Sequence, residues 1–219
     1  IIYYYKLYME NKPTIIFIIG MHRSGTSLLS NCLVENGFSI GKTKNKDKNW
    51  QNPNGYFEND VFTKMHDEML RYNNSSWRKI TVNKMKYTVE HLTKYRSLLK
   101  KEFNNERLIL IKDPRLTFFT DFLYDACKNL YDIYFVFLTR NKNECCRSLS
   151  KAQKLHIKDS ERLFDITMLK YKEKFLLIDH KDIIFNNNFV IQKISEFVNF
   201  DITTNTENIV DIKLYRNRT

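Results

Sequence analysis

The chain has 219 residues, with 36 basic and 25 acidic side chains and a net charge of +11. That length suits an α/β domain able to bury a core, and no run approaches the 18 apolar residues of a membrane-spanning helix, so no membrane span is expected. Lysine outnumbers arginine more than two to one and asparagine is frequent, so the basic balance is a poor argument for nucleic acid and equally suits a protein that binds a highly anionic nucleotide.

Residues 1–13 read as an N-terminal extension, with Met9 as an alternative start, ahead of one domain expected over 14–219. The apolar-aromatic opening, broken by Lys6, is a poor signal peptide. Thr14 to Ile19 is an unbroken apolar, β-rich run that predicts a buried strand. Gly20-Met-His-Arg-Ser-Gly-Thr-Ser27 follows as a tight loop. Leu28, Leu29, Cys32 and Leu33 then share one face of a helix that Gly37 closes. A strand, a glycine-bounded loop and a helix start form a phosphate cradle, because backbone N–H groups converge on an anion and the helix dipole adds positive potential. Gly20 and Gly25 have the spacing of a nucleotide-hydrolysing P-loop, but Thr26 stands where that motif has its lysine. The cation lies earlier, at Arg23, where a planar guanidinium can bind an oxyanion through two hydrogen bonds. That displacement argues against ordinary ATP or GTP hydrolysis.

Phe38 to Ile40 predicts a short second strand, and 41–54 a polar loop rich in Lys and Asn. Asn59 or Asp60 caps a helix with Val61, Phe62, Met65 and Met69 on one face. Residues 77–84 connect to a helix over Met85 to Phe103, whose apolar positions follow the helical period. Arg107 to Lys112 is a short apolar strand running into Asp113-Pro114-Arg115, where Asp113 can pair with Arg115. Leu116 to Leu130 is strongly apolar and predicts a core helix. A strand over 132–139 ends at Arg140, and a helix over Asn143 to Lys154 carries Ser148. A helix over Ser160 to Tyr171 is capped at Asp159 or Ser160. The last strand, 174–179, leads through an acidic turn to a helix over Phe189 to Val198, and Asp211 to Arg216 reads as a final packed segment. Strands alternating with helices predict an α/β fold: a P-loop-type parallel β-sheet flanked by helices on both faces, with ligands at the carboxyl ends of the strands. The four cysteines, Cys32, Cys127, Cys145 and Cys146, lack metal-site spacing. Cys32 and Cys127 fall on apolar helix faces as small core residues, so a reduced, cytoplasmic setting is expected.

The loop Gly20 to Ser27 resembles the 5′-phosphosulfate-binding loop of sulfotransferases that use PAPS (3′-phosphoadenosine 5′-phosphosulfate). Its Arg23 form is similar to that of tyrosylprotein sulfotransferases and many bacterial sulfotransferase-like proteins. A distant second match is Arg140 at a strand end with Ser148 eight residues on, which resembles the family's pair for the 3′-phosphate of PAPS. The segment Gly55-Tyr-Phe-Glu-Asn59 is similar to one in the bacterial proteins, and Lys112-Asp-Pro114 to one in tyrosylprotein sulfotransferases. The resemblance implies sulfuryl transfer from PAPS to an acceptor hydroxyl on a glycan, lipid, phenol or protein tyrosine, without a metal. It implies Arg23 at the sulfonate and Gly20, His22, Ser24, Gly25, Thr26 and Ser27 around the 5′-phosphate. Glu58 would be the general base and Lys112 would neutralise the bridging oxygen. His22 and His66 are rival bases, and the plainer role for Glu58 is to stabilise a helix start. The Gly-rich basic loop that completes the 3′-phosphate site in cytosolic sulfotransferases is missing, which leaves the adenine contacts unassigned. Two other functions fit parts of the chain: a P-loop kinase or NTPase, and a non-enzymatic protein that binds nucleic acid through its charge. The first would need the missing lysine and the second rests on +11 alone, so no nucleic-acid partner is expected.

Overall fold

The computed structural model describes residues 12–42 and 55–202. The expected N-terminal extension up to residue 11, most of the 41–54 loop and the 211–216 segment lie outside the described residues. The centre of the structure is β1 (Thr14–Gly20), whose neighbours are β2 (Leu108–Lys112) and β3 (Asp132–Thr139), with β4 (Leu176–Asp179) beyond β3. All pairings are parallel, and Phe17 lies level with Ile111 on one side and Phe135 on the other. Ile15 to Ile19 have no exposed surface, which is why the run is apolar at every position and not at alternate ones. Fully burying each such side chain contributes about 1.5–3 kcal/mol.

Alternation across β1 separates two cores. Ile15, Phe17 and Ile19 pack with α2 (Asp60–Tyr72), α3 (Val89–Glu102), α4 (Thr120–Cys127), α5 (Lys142–Gln153) and α6 (Ile157–Met168). Ile16 and Ile18 pack with α1 (Thr26–Glu35), α7 (His180–Phe185) and α8 (Asn187–Val198). The fold is therefore an α/β, P-loop-like parallel sheet with helices on both faces. All four cysteines are buried and unbridged. Among the described residues, no helix is long and apolar enough to cross a membrane.

Several element boundaries differ from the sequence expectation, each for a local reason. The helix expected from Met85 starts at Val89, because Thr88 and His91 exchange backbone and side-chain hydrogen bonds and fix the start there. The helix expected from Ser160 starts at Ile157, where His156 supplies the cap. Leu116 to Leu130 is not one helix. Pro114 and the Asp113 cap open a 3₁₀ turn, Pro114–Phe118, before α4 begins. The strand expected at Phe38 to Ile40 shrinks to a bridge between Ser39 and Ile109, flanked by Gly37 and Gly41 at positive φ. The acidic turn after β4 is a short helix, α7, capped by Asp179.

The chain runs from β1 to β2 on one side, then crosses to β3 on the other. Parallel sheets open a ligand crevice outside the carboxyl ends of the strands where such a reversal occurs. Here that crevice is bounded by Gly20 on β1 and Arg140 after β3. The sheet is tight at this point. Gly20 has φ +132, and a Cβ there would lie 2.5 Å from the carbonyl oxygen of Leu138. Gly20→Ala should lower the unfolding free energy by about 1–3 kcal/mol from backbone strain alone, read as a lower urea midpoint. An unchanged midpoint would show that this close approach is relaxed in solution.

Candidate functional site

The loop after β1 turns tightly on itself. Ser24 donates its N–H and its hydroxyl to the Met21 carbonyl (3.2 and 2.7 Å), and Arg23 sits in the left-handed region at φ 68. Such strain in a non-glycine residue clusters at ligand-binding loops. Gly25 has φ 101 and precedes α1, and a Cβ there would fall on the His180 ring. The first helical hydrogen bond runs from Leu29 N–H to the Gly25 carbonyl (3.1 Å), so the N–H groups of Thr26 and Ser27 precede the helical ladder and face the crevice end of the sheet. Thr117 clamps the loop's root, accepting from Gly20 N–H (2.8 Å) and donating to the Gly20 carbonyl (3.2 Å).

The fold brings the two distant motifs together on one side of this loop. Arg23 Nε donates to Ser148 Oγ (3.1 Å), and the Arg140 guanidinium donates to the Arg23 carbonyl (3.1 Å). Arg140 is oriented by the buried Glu144, whose Oε2 accepts from its Nε at 3.0 Å. Cys145 donates its thiol hydrogen to the His22 carbonyl (3.1 Å). Burial pushes that thiol up to about 12, so it stays protonated and able to donate.

A second charged network lies beyond the end of β2. Lys112 Nζ donates to Glu58 Oε1 (2.7 Å) and to the Tyr56 carbonyl (3.0 Å), the same carbonyl that accepts the Ser27 hydroxyl (3.4 Å). Glu58 also faces the Arg115 guanidinium at 3.7 Å. Arg115 is held in turn by Asp113 and Asp67, each at 2.8 Å, and Asp113 accepts from His66 Nδ1 at 2.8 Å. Burial works against the charge on Asp113, but Arg115 and His66 outweigh it and hold the carboxyl well below the usual range. Glu58 precedes the α2 cap, Asn59, which accepts from Val61 N–H. It points to Lys112 and Arg115, and so does more than stabilise a helix start.

His22 lies between the two networks. Burial pushes its ring down to about 3; Asp113 opposes the shift, while Arg115, Lys112 and Arg23 reinforce it. The ring packs on Trp77 at 5.0 Å between centres. His66 has no exposed surface and is enclosed by Phe62, Tyr95 and Phe119. That burial keeps it from touching an acceptor, so of the two rival bases only His22 borders the crevice. Sequence reasoning did not single out Glu144, Trp77 or His180, and it saw Arg115 only as a partner of Asp113. None carries a motif, since each matters through a contact made across the fold. His180 could have been suspected only from its place directly after the last strand.

What this arrangement offers chemically is a helix start and strained loop with Arg23, Arg140 and Ser148 on one side, suited to anionic groups. On the other side is a carboxylate, Glu58, in contact with an ammonium, Lys112. No family model matches the chain, and no curated protein matches its sequence. Among solved structures, the sulfotransferase domain of the Synechococcus PCC 7002 olefin synthase is similar, with a TM-score of 0.52 at 14% identity over 89% of this chain and 76% of that one. A sulfotransferase domain from the curacin biosynthetic pathway gives 0.53 at 13% identity, over 94% and 83%. A deoxyadenosine kinase from M. mycoides, with bound dATP, gives 0.47 at 15% identity, over 83% and 100%. At these identities the likeness to the two sulfotransferase domains is one of fold.

Two outcomes follow from the charges. His22 at about 3 and His180 at about 4, the latter lowered by burial and then by Arg140, lie below the ordinary histidine value of about 6.5. The unfolded chain therefore binds protons that the folded chain refuses. Stability is full above pH 6.5 and falls as pH drops toward 4, by about 1.4 kcal/mol per pH unit for each ring. Urea midpoints at pH 7 and pH 5 should show this loss, and His180→Gln should reduce it. Asp113→Ala leaves Arg115 and His66 without their buried partner and should cost about 3–5 kcal/mol in urea unfolding at pH 7, whereas Lys94→Ala, at an exposed pair with Glu68, should cost under about 1 kcal/mol by the same measurement.

Proposed function

We propose that this chain is a PAPS-dependent sulfotransferase, moving a sulfuryl group to an acceptor hydroxyl, with its machinery in one domain that begins near residue 14. The observation that carries the reading is the meeting of two motifs 125 residues apart: Arg23 Nε on Ser148 Oγ at 3.1 Å, with Arg140 on the Arg23 carbonyl. A loop cation placed before the second glycine, facing a strand-end Arg and a helical Ser, suits a nucleotide with phosphates at both its 5′ and 3′ ends. It does not suit the terminal phosphates of ATP, for which Thr26 supplies no cation.

The donor set fits PAPS, since cations and hydrogen-bond donors line the loop side of the crevice. When bound, PAPS supplies an activated sulfuryl group on its 5′-phosphate. In this reading the N–H groups of Gly25, Thr26 and Ser27, with Gly20 and Gly25 allowing close approach, hold the 5′-phosphate, while the Ser24 N–H is spent on the Met21 carbonyl and braces the loop. Arg23 meets the sulfonate, and Arg140 with Ser148 meets the 3′-phosphate. His22, kept neutral by burial, orients the loop's ligand. Glu58 takes the proton of the acceptor hydroxyl as the new O–S bond forms. The bond from sulfur to the bridging oxygen breaks, and Lys112 stabilises the charge that collects on that oxygen. Lys112 and Glu58 neutralise each other at 2.7 Å, so arrival of an anion at Lys112 would loosen its hold on the carboxylate that must act as base. Positioning and electrostatics supply the rate, as in phosphoryl transfer.

The test is calorimetric titration with PAP, the desulfonated nucleotide. Wild type should bind it tightly and Arg140→Ala should weaken it by about a hundredfold, the cost of removing one partner of a buried charged contact. ATP binding in place of PAP would overturn the reading in favour of a P-loop kinase. Steeply salt-dependent DNA binding untouched by Arg23→Ala would favour a nucleic-acid-binding protein.

A further inference from the structure

A groove of about 370 Å³ lies between the turn after α2 and the helix α6. Its floor is apolar, made by Ile80, Leu155, Leu163 and Ile166. Its rim carries three cations, Arg78, Lys79 and Arg162, against one acid, Asp159. None of these rim side chains forms an ion pair among the described residues, whereas Lys112, Arg115 and Arg140 at the crevice are all paired. Apolar floor and unneutralised cationic rim together select a particular kind of ligand.

Both walls of the groove are tied to the loop after β1 through neighbouring side chains. On α6, Thr167 contacts the Met21 sulfur at 3.6 Å. On the opposite wall, the Arg78 guanidinium lies 4.9 Å from the centre of the Trp77 ring, and Trp77 packs at a tilt against His22. The turn carrying these residues is not loose. Ser76 and Lys79 pair as a bridge, and Ser75 and Thr81 share a 2.8 Å hydrogen bond. From rim to charged networks the path is therefore Arg78, Trp77, His22.

We propose that this groove binds an amphiphilic anion, with its apolar body on Ile80, Leu155, Leu163 and Ile166 and its carboxylate or other anionic head at Arg78 and Arg162. Resting on the sulfuryl-transfer reading, the same ligand is the acceptor, its hydroxyl reaching toward Glu58 past the Trp77 edge. Apolar burial supplies the affinity and the rim cations supply the preference for an anion over a neutral chain.

The probe is 10-hydroxydecanoate, used below its aggregation concentration, with 1,10-decanediol as its neutral counterpart. Trp77 is one of two tryptophans, so a Trp50→Phe protein reports on it alone. Saturable change in Trp77 fluorescence with the carboxylate, about tenfold weaker with the diol, is expected. Arg162→Glu, at an exposed position that carries no fold contact, should remove that preference while leaving PAP affinity unchanged. Equal binding of acid and diol, or a preference that survives Arg162→Glu combined with Arg78→Glu, would overturn the proposal, as would no fluorescence response at all. Saturable, acid-selective binding by a protein that does not bind PAP would support the groove while ending the sulfuryl-transfer reading, so the two failures are distinguishable.

Discussion

The close approach of Gly20 to the Leu138 backbone governs the rest of the molecule. At the end of β1 the chain must leave the sheet while still level with Leu138 of β3, and a side chain there would strike a carbonyl oxygen. Because the contact is backbone to backbone, no rotamer change can relieve it. Thr117 then closes the root of the loop from the β2 side. The loop's path is thus fixed by β3 on one side and the turn after β2 on the other, and the helix start that follows it is delivered to the reversal point of the sheet. Every polar contact in the crevice depends on that delivery.

Charge compensation is the second organising force. Lys112, Asp113 and Glu144 are all nearly wholly buried, and an isolated charge in such surroundings would cost several kcal/mol. Each is matched: Lys112 by Glu58, Asp113 by Arg115 and His66, and Glu144 by Arg140. The matching also fixes orientation. Arg115, held by Asp113 and Asp67, presents its remaining edge to Glu58, so the carboxylate in the crevice is positioned by residues that do not themselves border it. Neutral His22 fits the same logic, since a third cation between Arg23 and Lys112 would be repelled by both.

Much of this was readable before folding was considered. Thr14 to Ile19, Leu108 to Lys112 and 132–139 are short apolar runs bounded by turn residues, and that signal is local. The loop was equally local, because Gly20, Arg23 and Gly25 act through spacing within one turn. Helix ends were read less well. Met85 to Thr88 continues the apolar period of α3, yet the Thr88–His91 exchange starts the helix later. Leu116 to Leu130 is apolar throughout, and only Pro114 with the Asp113 cap breaks it into two. Trp77 has no sequence signal and His180 only its place after the last strand, because their importance lies in rings packed against His22 and Gly25 from segments far along the chain.

The amino-acid order by itself was enough to set an α/β parallel sheet, a phosphate-type loop with its cation at Arg23, and the candidate residues Glu58, Lys112, Arg140 and Ser148. The sheet and the loop follow from periodicity, glycine spacing and side-chain chemistry, which are properties of short segments, whereas the four residues are candidates through their resemblance to sulfotransferase motifs. Only the tertiary structure decided that Arg23 meets Ser148, that Lys112 lies on Glu58, that His66 is sealed behind Asp113, and that a cationic groove opens beside Trp77. Those are distances between segments up to 125 residues apart. They are set by strand order and by the need of each buried charge for a partner, and no single stretch of chain encodes either.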